Sequence, residues 1–222
     1  MSFILVLILT AIPAYILGSV NGAIITSQVI YRKDIRKYGS GNPGLTNFFR
    51  VFGKGGVLLV ILIDFIKTMT PVIFGGWLFA LFTNSPISET WLFSSLFNVS
   101  LLGMLISGFF VMLGDCFPVF YGFDGGKGVM AAGVMVIMID WRLALICWAI
   151  FLLILIVTRF VSLGAIIACA AIPFTLYFLL GLGGLREFIV ASLCALLVII
   201  RHEGNIRRLI KGQESKIKFK RT

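Results

Sequence analysis

The stretch FILVLILTAIPAYILGSVNGAIITSQVI, residues 3–30, contains no charged residue and is long enough to cross a lipid bilayer. A membrane-spanning helix needs about 20 consecutive residues that are predominantly apolar. No basic residue precedes the run, whereas a cleavable signal peptide begins with a positively charged segment. We therefore interpret residues 3–30 as a retained membrane span.

Apolar runs of this kind recur along the chain of 222 residues, which is 59% hydrophobic, 13% charged and has a mean hydropathy of +1.07. A soluble domain has about 25% charged residues. The sequence predicts an all-α fold, a polytopic integral membrane helical bundle of seven transmembrane helices that forms one domain over residues 1–222. The spans are predicted near residues 3–30, 56–82, 95–115, 127–140, 143–159, 162–182 and 186–200.

The basic residues are distributed unevenly between the predicted connections. Most of the 19 lysines and arginines fall in the connection 32–55 or in the segment from residue 201 onward, whereas the opposite side receives Arg142 and Arg186. Because basic residues are retained on the cytoplasmic side, we predict an extracytoplasmic N-terminus and a cytoplasmic C-terminus. The net charge of +10 is explained by this topology and by attraction to membrane lipids, so no nucleic-acid partner is expected.

The polar stretch GSGNPGLTN, residues 39–47, follows the first span. Its glycines permit positive φ and its proline favours a turn, so several backbone N–H groups can converge on one anion. A guanidinium shortly afterwards could clamp a phosphate. An ordinary glycine-rich turn is an equally good interpretation of this stretch alone. The candidate anion-binding residues are Gly39, Ser40, Gly41, Asn42, Gly44, Thr46, Asn47 and Arg50.

A second glycine-rich stretch, GGKGVM at residues 125–130, directly precedes an apolar run. Gly126 and Lys127 at a helix N-terminus suit another anionic group, because free N–H groups and the helix dipole favour negative charge there. The glycine spacing differs from that of a Walker motif. A flexible hinge with a lysine reaching toward the headgroups is the alternative.

The stretch RHEGNIRRLIKGQESK, residues 201–216, contains the chain's only histidine, His202, and Asn205 three residues later. At helical spacing these two side chains share a face. An incidental histidine at the end of a span is the alternative, but His202 shares its predicted face of the membrane with both glycine-rich stretches. We therefore take His202 and Asn205 as candidate catalytic residues.

Asp64 and Lys67 lie three residues apart within the second apolar run and can pair on one helix face. Ionisable groups at this depth usually face a bundle interior or a water-filled cavity. A structural ion pair and a functional one both remain open. The nine acidic residues do not cluster, so no metal is expected, and no sequence motif for a cofactor is present.

These stretches, together with FPVFYGFDGGKGVM at 117–130 and TRFVSLGAI at 158–166, resemble the bacterial acyl-phosphate:glycerol-3-phosphate acyltransferase family, PlsY. The resemblance covers most of the chain. It implies a seven-span enzyme that moves an acyl group from acyl phosphate to glycerol 3-phosphate and releases lysophosphatidate and phosphate. The chain departs from the family at Asp115, where histidine is usual, and at Asp124, where a basic residue often stands.

The resemblance implies roles for the candidate residues. Lys127 and Arg50, helped by Ser162, would bind glycerol 3-phosphate, and the loop 39–47 would hold the acyl-phosphate headgroup. Ser40 could donate to the developing oxyanion, His202 could act as general base and Asn205 could orient a hydroxyl. The departing phosphate could accept the proton instead, which leaves the base open.

The same resemblance places the protein in the bacterial inner membrane with its active site facing the cytoplasm, coupled to a soluble enzyme that forms acyl phosphate. No cofactor is implied. The alternative function is a membrane transporter of phosphate esters or other anions. Such a protein would distribute its polar residues along a path across the membrane.

Overall fold

The computed structural model describes residues 2–83 and 99–217, and within these ranges the regular structure is helical, with no strand. The first half comprises α1 (Phe3–Gly18), α2 (Gly22–Tyr31), α3 (Leu45–Phe52) and α4 (Val57–Thr83). The remaining helices are α5 (Leu101–Cys116), α6 (Val129–Ile139), α7 (Trp141–Thr158), α8 (Val161–Phe174), α9 (Leu185–Arg201) and α10 (Glu203–Ile210). Short 3₁₀ helices cover Ile35–Lys37 and Val119–Tyr121, and α8 continues into a π-helical turn at Thr175–Leu179.

The predicted all-α membrane fold is confirmed, because five of the described helical stretches are long and apolar enough to cross a bilayer. The helix α6 has 11 residues and α9 has 17, and neither is among these five stretches. The count of seven spans therefore stays a prediction. The helix of the predicted third span begins at Leu101, and residues 95–98 of that prediction lie outside the described ranges.

The first apolar run is interrupted between α1 and α2, a break that its continuous hydrophobicity does not reveal. Asn21 caps α2 by accepting a hydrogen bond from Ile24 N at 2.9 Å. Its amide nitrogen donates to the carbonyl of Pro43 at 3.0 Å. The break therefore ties the start of α2 to the polar loop that precedes α3.

Close approach of α1 to α5 organises the interior of the bundle. A Cβ atom at Gly18 would lie 2.3 Å from Val111 O, and one at Gly114 would lie 2.3 Å from Tyr15 O. The two backbones are thus in direct contact, which only residues without a side chain allow. Small residues at such interfaces are typical of membrane helices, which associate through close packing.

The C-terminal segment, residues 211–217, folds back along the turn between α7 and α8. Gln213 N donates to Arg208 O at 2.8 Å, and Ile217 N donates to Arg159 O at 2.9 Å. The ammonium of Lys216 lies 5.3 Å from the ring centroid of Phe160. This path brings the C-terminal segment beside the beginning of α8.

Candidate functional site

A cavity of about 880 Å³ is bounded by the three polar stretches and by α6, α7 and α8. Its volume is suited to a small-molecule ligand. Neither Gly39 nor Lys67 lies on its wall. The predicted site residues that line it are Ser40, Gly41, Asn42, Gly44, Thr46, Asn47, Arg50, Asp64, Gly126, Lys127, Ser162, His202 and Asn205.

The loop 39–47 is held in shape by the buried side chain of Asn47. Its Oδ1 accepts from Ser40 N at 2.9 Å, and its Nδ2 donates to Tyr38 O at 3.0 Å. Gly39 has φ +62°, and a Cβ there would lie 2.3 Å from Asn47 Oδ1. Both ends of the Asn47 side chain are therefore engaged by the loop, and Gly39 provides the space for it.

The N-terminus of α3 borders the cavity. The first backbone N–H groups of a helix lack acceptors within the helix, and Gly44, which precedes α3, supplies no side-chain cap for them. Leu45 and Thr46 in this turn line the cavity. Arg50, one turn further on, is exposed and has no hydrogen-bond or ion-pair partner among the described residues. The free amides and the helix dipole favour an anion here, and the guanidinium of Arg50 adds positive charge to this wall of the cavity.

The second glycine-rich loop, residues 125–128, is fixed from two sides. Asp115 accepts hydrogen bonds from it, at its carbonyl from Gly126 N (2.8 Å) and at Oδ2 from Gly128 N (3.1 Å). Arg201 at the end of α9 donates to the carbonyls of Gly125 and Gly126, both at 3.1 Å. No role for Asp115 or Arg201 was predicted, because no local sequence pattern links either residue to the loop 125–128.

Lys127 is half-buried, and its ammonium donates to Asn205 Oδ1. Burial lowers the pKa of Lys127 to about 8, and the neighbouring Arg208 contributes to this shift while Glu214 opposes it. The lysine is therefore still mostly protonated at neutral pH and can attract an anion.

His202 is buried, and its Nδ1 lies 2.8 Å from the carbonyl of Val198. Since a carbonyl only accepts, Nδ1 carries the proton in this contact and Nε2 is left as an acceptor. Burial lowers the pKa of His202 to about 4, although the bond to Val198 opposes the shift. The imidazole is therefore neutral near pH 7 and is a weak base.

Glu214 in the C-terminal segment is a site residue that the sequence interpretation missed. Its Oε1 accepts from Ser162 Oγ at 2.7 Å and from Asn205 Nδ2 at 2.6 Å, and its Oε2 accepts from Arg208 Nε at 2.7 Å. Burial by itself raises the pKa of Glu214, but these three hydrogen bonds together bring it below its ordinary value. The sequence feature that could have identified Glu214 is its position as an acidic residue within a strongly basic segment.

Asp64 and Lys67 form the ion pair that their spacing allows, with Lys67 Nζ 2.9 Å from Asp64 Oδ1. A third member, Asp115 on α5, accepts from the same ammonium at 2.6 Å. All three side chains are buried. The pair is thus part of a buried cluster that also contacts the loop 125–128.

The rest of the cavity is an apolar groove. Gly133 of α6 lines it, as do Trp148 and Phe151 of α7. On α8 the lining residues run from Val161 to Ile172, a distance of about 16 Å at 1.5 Å per residue. An apolar chain can therefore extend from the polar end of the cavity along α8.

The protein is thus a helical membrane protein in which loops rich in hydrogen-bond donors lie at one end of an apolar groove. Such a site suits an amphiphilic anion. Residues 8–212 match the family described as glycerol-3-phosphate acyltransferase. The chain belongs to this family, which confirms the resemblance that its motifs indicated.

Two relatives illustrate the similarity in sequence, and both are described as glycerol-3-phosphate acyltransferase. The protein of Staphylococcus carnosus (strain TM300) is 37% identical over 220 residues, which cover 97% of this chain and 100% of the relative. The protein of Francisella tularensis subsp. novicida (strain U112) is 35% identical over 204 residues, which cover 92% of this chain and 89% of the relative.

Two crystal structures of PlsY (YgiH), an integral membrane glycerol 3-phosphate acyltransferase, share this fold. The glycerol 3-phosphate form has a TM-score of 0.78 at 31% identity, with 96% of each chain covered. The lysophosphatidic acid form has a TM-score of 0.77 at 29% identity, with 96% of this chain and 95% of that chain covered.

Proposed function

We propose that the protein transfers a fatty acyl group from acyl phosphate to the 1-hydroxyl of glycerol 3-phosphate, giving lysophosphatidate and phosphate. The observation that carries this proposal is that two glycine-rich polar loops and an apolar groove line one cavity. Both proposed substrates bear a phosphate, and the acyl donor also bears a hydrocarbon chain. The similarity to proteins described as glycerol-3-phosphate acyltransferases supports the same reaction.

Each substrate has a place in this cavity. Lys127 and Arg50 bind the phosphate of glycerol 3-phosphate, and the free N–H groups at the α3 N-terminus hold the phosphate of the donor. The acyl chain lies in the apolar groove. Ser162 donates its hydroxyl hydrogen to Glu214, so it contributes an acceptor for a glycerol hydroxyl rather than a donor for phosphate.

The chemistry consists of one acyl transfer. The glycerol oxygen attacks the acyl carbon, the bond from that carbon to the phosphate oxygen breaks, and inorganic phosphate leaves. Ser40 donates to the oxyanion that develops at the carbonyl. Because the phosphate is a good leaving group, positioning and electrostatic stabilisation can provide most of the catalysis.

The proton of the glycerol hydroxyl passes to the departing phosphate in this proposal. His202 is a poor general base because of its lowered pKa of about 4. Asn205 is occupied at both ends of its amide, by Lys127 and by Glu214, which favours a role in holding Lys127. We expect His202→Ala to retain measurable turnover, and a loss as severe as that of Lys127→Ala would assign the base role to His202.

The reaction takes place at the cytoplasmic face of a bacterial inner membrane in this proposal. The polar loops then face the compartment that contains glycerol 3-phosphate, and a soluble enzyme supplies the acyl phosphate to the membrane. The concentration of basic residues in the connection 32–55 and after residue 201 supports this orientation.

The test is acyl transfer by the purified protein reconstituted in lipid. Palmitoyl phosphate or palmitoyl-CoA is supplied with glycerol 3-phosphate, and Lys127→Ala serves as the site variant. The proposal expects lysophosphatidate from the acyl phosphate only, and its loss in the variant. No product from either donor, with a folded protein, would reject acyl transfer, and uptake of glycerol 3-phosphate into the same vesicles would then indicate a transporter.

A further inference from the structure

We propose that Asp115 is a positioning residue for the reaction, because it holds the loop 125–128 so that Lys127 is presented to the phosphate of glycerol 3-phosphate. This inference rests on the proposed function and assigns a role to one of the two positions at which the chain departs from the family resemblance. Asp115 acts through Lys127 and takes no part in bond making or breaking.

The first support is the number of contacts between Asp115 and the loop. The main-chain carbonyl of Asp115 accepts from Gly126 N at 2.8 Å, and its carboxylate Oδ2 accepts from Gly128 N at 3.1 Å. These two bonds fix the residues on either side of Lys127. The orientation of the lysine is therefore set by α5, the helix on which Asp115 lies.

The second support is steric. A Cβ atom at Gly125 would lie 2.2 Å from Asp115 O, and one at Gly126 would lie 2.8 Å from Asp115 Oδ2. Gly128 has φ +76°, which other residues rarely adopt. The glycines of the loop thus fit the surface of Asp115 closely.

The third support is the ion pair that holds the carboxylate. Lys67 Nζ contacts Asp115 Oδ1 at 2.6 Å and Asp64 Oδ1 at 2.9 Å. One oxygen of Asp115 is therefore held by α4 while the other holds the loop. A carboxylate engaged at both oxygens cannot rotate without breaking one of these contacts, so α4 also contributes to the position of Lys127.

The charge of Asp115 has an effect of the opposite sign. A carboxylate on the wall of a phosphate site repels the substrate, although Lys67 offsets part of this repulsion. Asp115→Asn removes the charge and also leaves one acceptor oxygen where Gly128 N and Lys67 Nζ both donate. The change in affinity for glycerol 3-phosphate therefore distinguishes positioning from repulsion.

The experiment compares Asp115→Asn and Asp115→Glu with the reconstituted wild type. Asp115→Glu retains the charge but displaces the carboxylate by one methylene group. Asp140→Asn is the matched control, because Asp140 is equally buried and caps α7 outside the cavity. The readouts are kcat and KM for glycerol 3-phosphate, its Kd by calorimetry, and hydrogen exchange of the peptide that covers residues 125–128.

Positioning predicts that KM and Kd rise roughly tenfold or more in Asp115→Asn, as expected for loss of a hydrogen bond to a charged group. They rise less in Asp115→Glu, exchange in the loop becomes faster in both variants, and kcat changes much less than KM. Asp140→Asn lowers thermal stability and leaves KM unchanged. Asp115→Glu decides the question if Asp115→Asn does not fold.

An unchanged or lower Kd in folded Asp115→Asn would overturn the inference. A rise in Kd in Asp115→Asn with no rise in Asp115→Glu would also overturn it. A wild type that binds glycerol 3-phosphate without acyl transfer would reject the proposed function alone, and the Kd values would still decide on Asp115. A wild type without binding would overturn both.

Discussion

The ammonium group of Lys127 lies close to other cations, and this arrangement makes the charge of Lys127 sensitive to pH. Burial and the repulsion from Arg208 lower its pKa to about 8 in the unliganded protein. Binding of a phosphate requires the protonated lysine. The affinity for glycerol 3-phosphate should therefore fall as pH rises through this value.

We expect KM for glycerol 3-phosphate to increase above about pH 8 and to approach a tenfold rise per pH unit. Lys127→Arg should show a flatter profile, because arginine stays protonated throughout this range. The measurement is KM of the reconstituted enzyme in steps from about pH 7 to about pH 9.5. A wild-type KM that is constant over these steps, or equal slopes in both proteins, would contradict this account.

Glu214 joins the C-terminal segment to α8 and α10 through its carboxylate, so its loss should affect both stability and catalysis. In Glu214→Gln, the amide nitrogen cannot accept the hydrogen bonds that one carboxylate oxygen receives. Hydrogen bonds to charged groups contribute about 1.5–3 kcal/mol, and less where the partner is exposed, as Arg208 is. We expect a lower melting temperature and a large loss of kcat/KM.

Glu203→Gln is the control for this prediction, because Glu203 pairs with Arg207 on the exposed face of α10. Exposed pairs contribute little, so this variant should resemble the wild type.

The pH dependence of the stabilisation by Glu214 follows from the direction of its pKa shift. The pKa of Glu214 is lowered by folding, so its stabilisation is present above the pKa of the unfolded chain and is lost as pH falls through the folded-state pKa. Equal melting temperatures of Glu214→Gln and wild type would contradict this role.

At the scale of elements, hydrophobic runs and glycine-rich stretches predicted the helical class and the segments that form the site. They did not predict the break at Asn21, because hydrophobicity continues through it and the second bond of the Asn21 side chain is to Pro43, which lies beyond that run. The sequence also predicted an anion-binding role for Asn47 and a catalytic role for Asn205, and the structure shows that protein atoms engage both side chains. Local sequence shows which residues are polar, but the partners of those residues depend on tertiary contacts.

The contact between α1 and α5 gives a prediction about an element pair. Gly18→Ala places a Cβ atom 2.3 Å from Val111 O, so the helices must separate. Overpacking of this kind costs about 1–3 kcal/mol and should lower the melting temperature by roughly 3–10 °C. Thermal unfolding in detergent measures this change.

Gly204→Ala on α10 is the control for this packing effect. Its Cβ would make an ordinary contact, 3.5 Å from Arg208 Nη1, and alanine favours a helix more than glycine does. We therefore expect no decrease in melting temperature for Gly204→Ala. Equal melting temperatures of Gly18→Ala and wild type would show that the two helices can separate without cost.

For the whole molecule, the site depends on parts that are far apart in the chain. The loop 39–47 follows α2, the loop 125–128 follows α5, and Glu214 follows α10. All of them meet at one end of an apolar groove. A common orientation of the connections relative to the membrane is therefore a condition for a functional site, and the distribution of basic residues provides a physical reason for it.

This orientation can be tested by labelling introduced cysteines with a membrane-impermeant maleimide. Because cytoplasmic segments retain lysine and arginine, we expect Ser2→Cys to be labelled in intact spheroplasts and Gln213→Cys only after permeabilisation. Both positions are exposed, whereas the four native cysteines are buried and should give little background. Labelling of both variants in detergent is the control. Labelling of Gln213→Cys in intact spheroplasts would place the polar end of the cavity outside the cytoplasm and would exclude a cytoplasmic supply of glycerol 3-phosphate.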